Sequence, residues 1–395
     1  MKKSLFMFGV AIAMGALLVS IALVVLLVTF TGQKSAKERV QTARVMAHGD
    51  LLYHDILYMS TLQSDGSYDF SENFTYVKPW FEKADLMIGD FEGTIRPDYP
   101  LAGYPLFNAP KDVVTAIKDV GYDVLDLAHN HILDSGLEGV STTVAAFDKA
   151  GIATVGVYPK QARDEAPLLI KEVNGIKIAI LAYCYGFNGL EENLTKKEYQ
   201  NVLSNLDEKR MKTELARAEK EADVTIVMPQ MGVEYQLEPT DEQVALYHKM
   251  IDWGADVIFG GHPHVVEPSE IVEKDGEKKL IIYSMGNFIS NQRIETMAGV
   301  PTAEWTERGV LMDVTFEKAG DKTRIQTAKA HPSWVSRVSK GTYSPEGYEL
   351  YHYQTFILED LIEGGPYRER LDDETKERVD RAYREMNTHV NLNWK

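Results

Sequence analysis

The chain has 395 residues, with 42 Lys and Arg against 59 Asp and Glu, a formal charge of -17, and 44% hydrophobic residues. That composition is globular, allows two or three domains, and is too acidic for a chain that grips nucleic acid with a basic face. A single cysteine excludes an intramolecular disulfide and any Cys-rich zinc module.

Residues 5–30 contain no charged side chain, and Lys2 and Lys3 precede them. At about 1.5 Å rise per residue such a run crosses a bilayer core of about 30 Å. Residues 1–31 therefore read as a cytoplasmic stub and an uncleaved transmembrane signal anchor, with the N-terminus in the cytoplasm and the bulk of the chain extracytoplasmic, at the cell membrane. A cleaved signal peptide would show a shorter apolar run, of about 7–15 residues, and a small-x-small site. Residues 32–42 form a short polar stalk.

From Ala43 the pattern is α/β. A strand over Ala43–Ala47 ends in a loop at His48-Gly49-Asp50, a helix covers Phe74–Lys83, and a second strand over Asp85–Gly89 ends at Asp90-Phe91-Glu92. Pro110 opens a helix stopped by Gly121. A strand from Tyr122 to Leu127 leads to Ala128-His129-Asn130-His131, and the next helix, Leu137–Lys149, is closed by Gly151. Asp134 sits where it would cap that helix. Asn174-Gly175 between two apolar runs predicts a hairpin of Leu168–Val173 with Ile176–Tyr183. The lone Cys184 follows as a buried apolar strand residue.

A charged amphipathic helix over Leu206–Glu221 precedes a strand, Val224–Met228. Thr240 with Gln243 forms a capping box that starts a helix ending at Trp253-Gly254. Val257–Phe259 runs into Gly260-Gly261-His262-Pro263-His264, and Asp275-Gly276 turns another hairpin. Val310–Phe316 and Ile325–Ala330 are strands, and Asp372–Met386 is a polar terminal helix. Strand–helix alternation followed by hairpins suits two packed sheets with helices on the outer faces.

Five segments place ligand-type side chains just after strands, where open α/β sheets build their sites. They are Gly49-Asp50, Asp90-Phe91-Glu92, Asn130-His131, Gln230-Met231-Gly232 and His262-Pro263-His264. Carboxylates, carboxamides and imidazoles together are a donor set for two divalent cations. Each segment alone is weak; five in one context are strong.

On these segments the chain resembles the CapA-type poly-γ-glutamate capsule biosynthesis proteins of the calcineurin-like metallophosphoesterase superfamily. The resemblance runs from about Val45 to Phe316. Its carriers are Gly49-Asp50, Asp90-Phe91-Glu92 (Asp for the family's Asn), and Ala128-His129-Asn130-His131 with Asp134-Ser135-Gly136. Gly260-Gly261-His262-Pro263-His264-Val265 and Tyr283-Ser284-Met285-Gly286-Asn287-Phe288 complete the set. Where the family reads His-Trp-Gly-x-Glu-Tyr, this chain reads Gln230-Met231-Gly232-Val233-Glu234-Tyr235.

The resemblance implies a four-layer αββα sandwich over 43–331 and a C-terminal extension, 332–395, with a terminal helix. It implies two divalent ions (Mn, Fe or Zn) held by Asp50, Asp90, Glu92, Asn130, Gln230, His262 and His264, with Glu92 or Asp90 as the bridge. Gln230 in place of His implies a weaker second position, a preference for harder ions, or lost activity. His131 would be the general acid at the leaving oxygen. His48 and His129 would orient a carboxylate ligand or make ordinary loop hydrogen bonds, and Asn287 would line the pocket or serve a turn.

The implied function is a membrane-anchored, metal-dependent phosphoesterase-like hydrolase acting on a cell-envelope or capsule polymer or its lipid-linked precursor, beside synthase or exporter subunits. The alternative is a non-catalytic accessory subunit of such a machine.

Overall fold

The structure, a computed structural model, describes residues 40–395. The expected anchor and most of the stalk lie outside the described residues. Among those described, no helix is long and apolar enough to cross a membrane.

Two β-sheets carry the fold. The first has the order β14-β13-β12-β1-β2-β3-β4, with β11 also beside β1. Its strands are β1 (Gln41–Leu52), β2 (Leu86–Glu92), β3 (Val124–Asp126), β4 (Ala153–Val155), β11 (Asn287–Ile289), β12 (Arg308–Ala319), β13 (Lys322–Tyr343) and β14 (Glu349–Ile357). The second has the order β5-β6-β7-β8-β10-β9. It is built from β5 (Leu169–Val173), β6 (Ile176–Cys184), β7 (Val224–Gln230), β8 (Val257–Phe259), β9 (Ser269–Lys274) and β10 (Glu277–Ile282).

β1 to β4 run parallel, joined through helices; β6, β7, β8 and β10 also run parallel, with helices between β6, β7 and β8 and the strand β9 between β8 and β10. The two expected hairpins add an antiparallel edge strand to each side of the second sheet. Asn174-Gly175 turns with φ of 52° and 84°, and Asp275-Gly276 with 54° and 80°. Both central residues of these turns are left-handed, which Asn-Gly and Asp-Gly tolerate and most pairs do not.

Period-2 patterning divides β6 between two cores. Ala179, Leu181 and Tyr183 pack with Met211, Leu215 and Ala218 of the helix Glu208–Glu221 and with Leu246, Tyr247, Met250 and Ile251 of the helix Asp241–Asp252. Ile176, Ile178, Ile180, Ala182 and Cys184 join the large core shared with the first sheet. Cys184 is a buried free thiol, as expected.

Helix ends follow their caps. Thr240 and Gln243 exchange the two bonds of a capping box, and Asp207 and Asp372 accept from the first turns of their helices. Gly121 and Gly151 close the helices Val113–Val120 and Gly136–Ala150 in the left-handed region.

Four local expectations change. The stretch Phe74–Lys83 is not one helix: a 3-10 turn at Ser71–Phe74 is separated from the short helix Lys78–Phe81, because Pro79 can sit only in a first turn. His48 to Asp50 and Asp90 to Glu92 are strand residues, not loop. The strand expected over Ile325–Ala330 is part of the 22-residue β13, which runs through position 331 and pairs with β14 in the same sheet. Asp134 is not a cap: Ser135 holds the N-cap position, and no side chain caps that helix.

Candidate metal centre

Strand register builds the site. Asp50 on β1 is paired with Asp90 on β2, and Asp90 with Asp126 on β3. Residues paired in register project to one face, so three carboxylates stand side by side. Glu92, two residues beyond Asp90, points the same way. That face meets the second sheet, because Gln230, the last residue of β7, donates from Nε2 to Asp90 Oδ2.

The register of β1 shifts between Ala47 and Asp50, where it leaves β12 and picks up β11. Gly49 sits at that shift. A Cβ there would lie 1.9 Å from the Gly286 carbonyl oxygen, the same oxygen that accepts from Asp50 N. Only glycine lets β11 approach, and that approach aims Asp50 inward.

His264 lies 2.9 Å from Asp50 Oδ2 and 3.8 Å from Glu92 Oε2 through its Nδ1. Asp50, Glu92 and His264 thus offer ligand atoms all within 4.8 Å of one another, and all three are buried. His262 and His264 both hold left-handed backbone on either side of Pro263, with φ of 97° and 57°. Such positions in non-glycine residues cost about 1–3 kcal/mol each and persist where the surroundings enforce them. Here Met231 N bonds Gly261 O and Tyr235 N bonds Pro263 O. Asn287 helps to set His264: its Oδ1 lies 3.2 Å from Nδ1, while its Nδ2 donates to Thr306 O. Asn287 thus lies against His264, and the turn before it is made by Gly286 (φ 66°).

His131 presents Nε2 4.0 Å from Glu92 Oε1, with Nδ1 2.7 Å from Asp134 Oδ2. Asp134 also accepts from Phe107 N at 2.6 Å, so this carboxylate orients the imidazole. Asn130 donates to Asn188 Oδ1, which leaves its own carbonyl oxygen free. Tyr185 and Tyr235 wall the two loop imidazoles, at 4.5 Å from His262 and 6.1 Å from His264 between ring centroids.

The electrostatics of this group suit a cation. Asp50 Oδ1, Asp90 Oδ1, both Glu92 oxygens, Asp126 Oδ2, Asn130 Oδ1 and His262 Nδ1 are buried with no hydrogen-bond partner among the described residues. Buried acceptors are normally satisfied, so this concentration fits a bound cation. Burial pushes Glu92 up to about 7, with the Asp50 charge adding to it while His264 and His131 oppose. Asp90 and Asp126 are likewise raised by burial and by neighbouring carboxylates. Burial lowers His264, yet Glu92 and Asp50 hold it at about 10. His262 has no such carboxylate support, and burial brings it down to about 3. For His131, the Asp134 bond and the Glu92 charge outweigh burial and raise it.

Of the seven expected ligands, Asp50, Glu92 and His264 form one cluster and Gln230 meets Asp90, while His262 lies 6.2 Å from His264 between ring centroids and Asn130 contacts Asn188 rather than a carboxylate. His48 is not part of this centre: its ring stacks on Phe288 at 3.7 Å, and its nitrogens meet Gly49 O and Tyr122 Oη. His129 accepts from Gly93 N and, among the described residues, contacts no carboxylate. Asp126 and Asn188 were not singled out by sequence. Asp126 was visible as one acid inside the buried apolar run Val124–Ala128, and Asn188 as a left-handed Asn before Gly189 (φ 55°).

Residues 44–292 match the family model described as "Bacterial capsule synthesis protein PGA_cap". The chain is similar to the "PGA biosynthesis protein CapA" of Bacillus subtilis (strain 168), 34% identical over 224 residues, covering 55% of this chain and 57% of that one. It is also similar to the "Capsule biosynthesis protein CapA" of Bacillus anthracis, 32% identical over 227 residues, covering 55% and 54%. The chain therefore spans little more than half the length of these curated relatives. Among solved structures, the calcineurin-like phosphoesterase YfkN from Bacillus subtilis is similar over 74% of this chain and 90% of that one, at 16% identity and a TM-score of 0.44.

Proposed function

Because the chain belongs to the PGA_cap family of bacterial capsule synthesis proteins, we propose that it serves the synthesis, release or export of an anionic envelope polymer resembling poly-γ-glutamate, as a metal-dependent phosphoesterase-like hydrolase. The scaffold would be the αββα sandwich of metallophosphoesterase type. Residues 1–31 would anchor it in the cell membrane, with the described part extracytoplasmic and close to a lipid-linked precursor and to synthase or exporter subunits.

The observation that carries this reading is the convergence of Asp50, Glu92 and His264 around unpartnered buried oxygens, beside an imidazole aligned by Asp134. Asp50, Glu92 and His264 would hold one divalent ion; Asp90 and Gln230 would hold a second, with Asn130 and His262 nearby as further polar groups of the pocket. Bound divalent cations would supply Lewis-acid chemistry, drawing charge from the phosphoryl oxygens. His131 keeps a proton at Nε2 while Asp134 fixes Nδ1, and delivers it to the departing oxygen. Tyr185 and Tyr235 exclude bulk water from the two loop imidazoles.

The test is hydrolysis of an aryl phosphate ester by the purified protein with added manganese. Asp50→Ala should abolish both metal retention and turnover. His131→Ala should lower kcat at least about 100-fold with metal content unchanged. A folded, metal-loaded protein that never turns over, in either form, sinks the hydrolase reading. One contact favours the non-catalytic accessory alternative: Gln230 spends its amide on Asp90, where an imidazole would be a stronger ligand. That alternative expects metal binding with no hydrolysis.

A further inference from the structure

Two other buried acids in this molecule are neutralised by arginine. Asp313 pairs with Arg44, and Glu307 with both Arg293 and Arg378. At the strand ends the pattern breaks. Among the described residues no Lys or Arg pairs with Asp50, Asp90, Glu92 or Asp126; the only ionic neighbours are His264 and His131, against Asp50 and Glu92. Asp90 and Asp126 have none.

Asp126 is wholly buried. Its Oδ1 accepts from Ala128 N at 2.7 Å, which fixes the carboxylate, and its Oδ2 has no partner. The register places it beside Asp90, whose Oδ1 is also unpartnered and whose Oδ2 meets the Gln230 carboxamide. Adjacent strands lie about 4.8 Å apart, so two fixed carboxylates at this spacing repel strongly in a dry interior. A cation between them removes the repulsion. A half-turn of the Gln230 amide exchanges its donor for its carbonyl oxygen at the same place. Two of the chain's departures from its family's motifs, Asp90 and Gln230, are in contact with each other, and Asp126 flanks them.

Building on the metal-centre reading above, we propose that Asp126, Asp90 and the Gln230 carboxamide form an oxygen-only cation position, distinct in chemistry from the imidazole-bearing group of Asp50, Glu92 and His264, that takes a hard ion such as Mg²⁺, Mn²⁺ or Ca²⁺. Carboxylate and carbonyl oxygens suit those ions, whereas imidazole suits zinc. The centre is then asymmetric, and Asp126 is a ligand that selects between metals.

The experiment uses the full chain in detergent, stripped of metal and reloaded with one equivalent of Zn²⁺. It is then titrated with Mg²⁺ alone or Mn²⁺ alone, reading metal per chain by mass spectrometry and the shift in melting midpoint. The unaltered protein should keep its zinc and take a second, hard ion. Asp126→Asn should hold one ion only, with its Mg²⁺ half-saturation raised at least tenfold. Its metal-free midpoint should be unchanged or higher, since a repelled carboxylate is gone; a merely structural Asp126 would lower it. Should Asp126→Asn fail to fold, Gln230→His tests the same position: it should shift the preference of the second ion from Mg²⁺ toward Zn²⁺. One ion in both the unaltered and the altered chain, or an unchanged half-saturation, overturns this proposal and leaves the metal centre standing. No ion in the unaltered chain overturns both.

Discussion

Single residues in this protein are tuned by what surrounds them as much as by their type. Glu267 is an example outside the metal centre. Its Oε2 accepts from Gln243 Nε2 at 2.7 Å, its Oε1 has no partner among the described residues, and burial pushes it up to about 8. The folded chain therefore holds a proton there that the unfolded chain releases above about 4.5. Between those values the native state binds more protons, so stability falls as pH rises. Glu267→Gln removes the titration. It should match the parent near pH 4.5 and melt higher at pH 8, by an amount of up to roughly 3 kcal/mol, as read from melting curves at the two pH values. Equal curves at pH 8 would mean that the carboxylate is solvated.

At the scale of elements, local rules carried far. The Asn-Gly and Asp-Gly hairpins, the capping box and the glycine-closed helices are dictated by neighbours a few residues apart, and each appears where the pattern put it. Thr240→Ala should cost about 1 kcal/mol by leaving the Gln243 N–H without its acceptor, a fall of a few degrees in melting midpoint followed by circular dichroism. What local rules missed depended on non-local pairing. Asp126 becomes a neighbour of Asp90 only through the β2–β3 register, which one sequence does not display. The length of β13 was hidden because its opening stretch, residues 322–329, exposes most of its side chains, with only Ile325 and Ala328 buried, so it lacks an apolar face to announce it. Of the site itself, the five strand-end segments were legible from their residue types. The exclusion of His48 was not, since it follows from a stack on Phe288 across 240 positions of chain.

For the whole molecule, residues beyond position 331 are bound into the same fold. β14 extends the first sheet, and the helix Asp373–Val390 buries Val379, Ala382, Met386 and Val390. That helix also supplies Arg378 to Glu307 and Glu385 to Arg308, both partners being buried. A chain ending at Asp372 loses four buried apolar side chains and leaves Arg308 short of an acceptor, a combination worth several kcal/mol. It should be insoluble or should unfold without a cooperative transition. A soluble truncated protein with a sharp melting curve would show the helix to be dispensable. The net charge of -17 also bears on the proposed function at this scale: an acidic molecule would gain nothing from long-range attraction to an anionic polymer, and cations at its centre would provide the positive charge for such a substrate.

The bond between His264 and Asp50 joins residues 214 positions apart, and that between Gln230 and Asp90 joins residues 140 apart. During synthesis the early carboxylates emerge long before any partner exists for them. Chains rich in such distant pairings fold slowly, because loop closure precedes the contacts that reward it. The acidic strand ends on β1 and β2 should therefore stay open and mutually repelling until the second sheet is complete, so capture of the proposed cation would come late in folding. A chain interrupted anywhere before His264 lacks one corner of the proposed centre, so metal retention would report that synthesis had passed that residue.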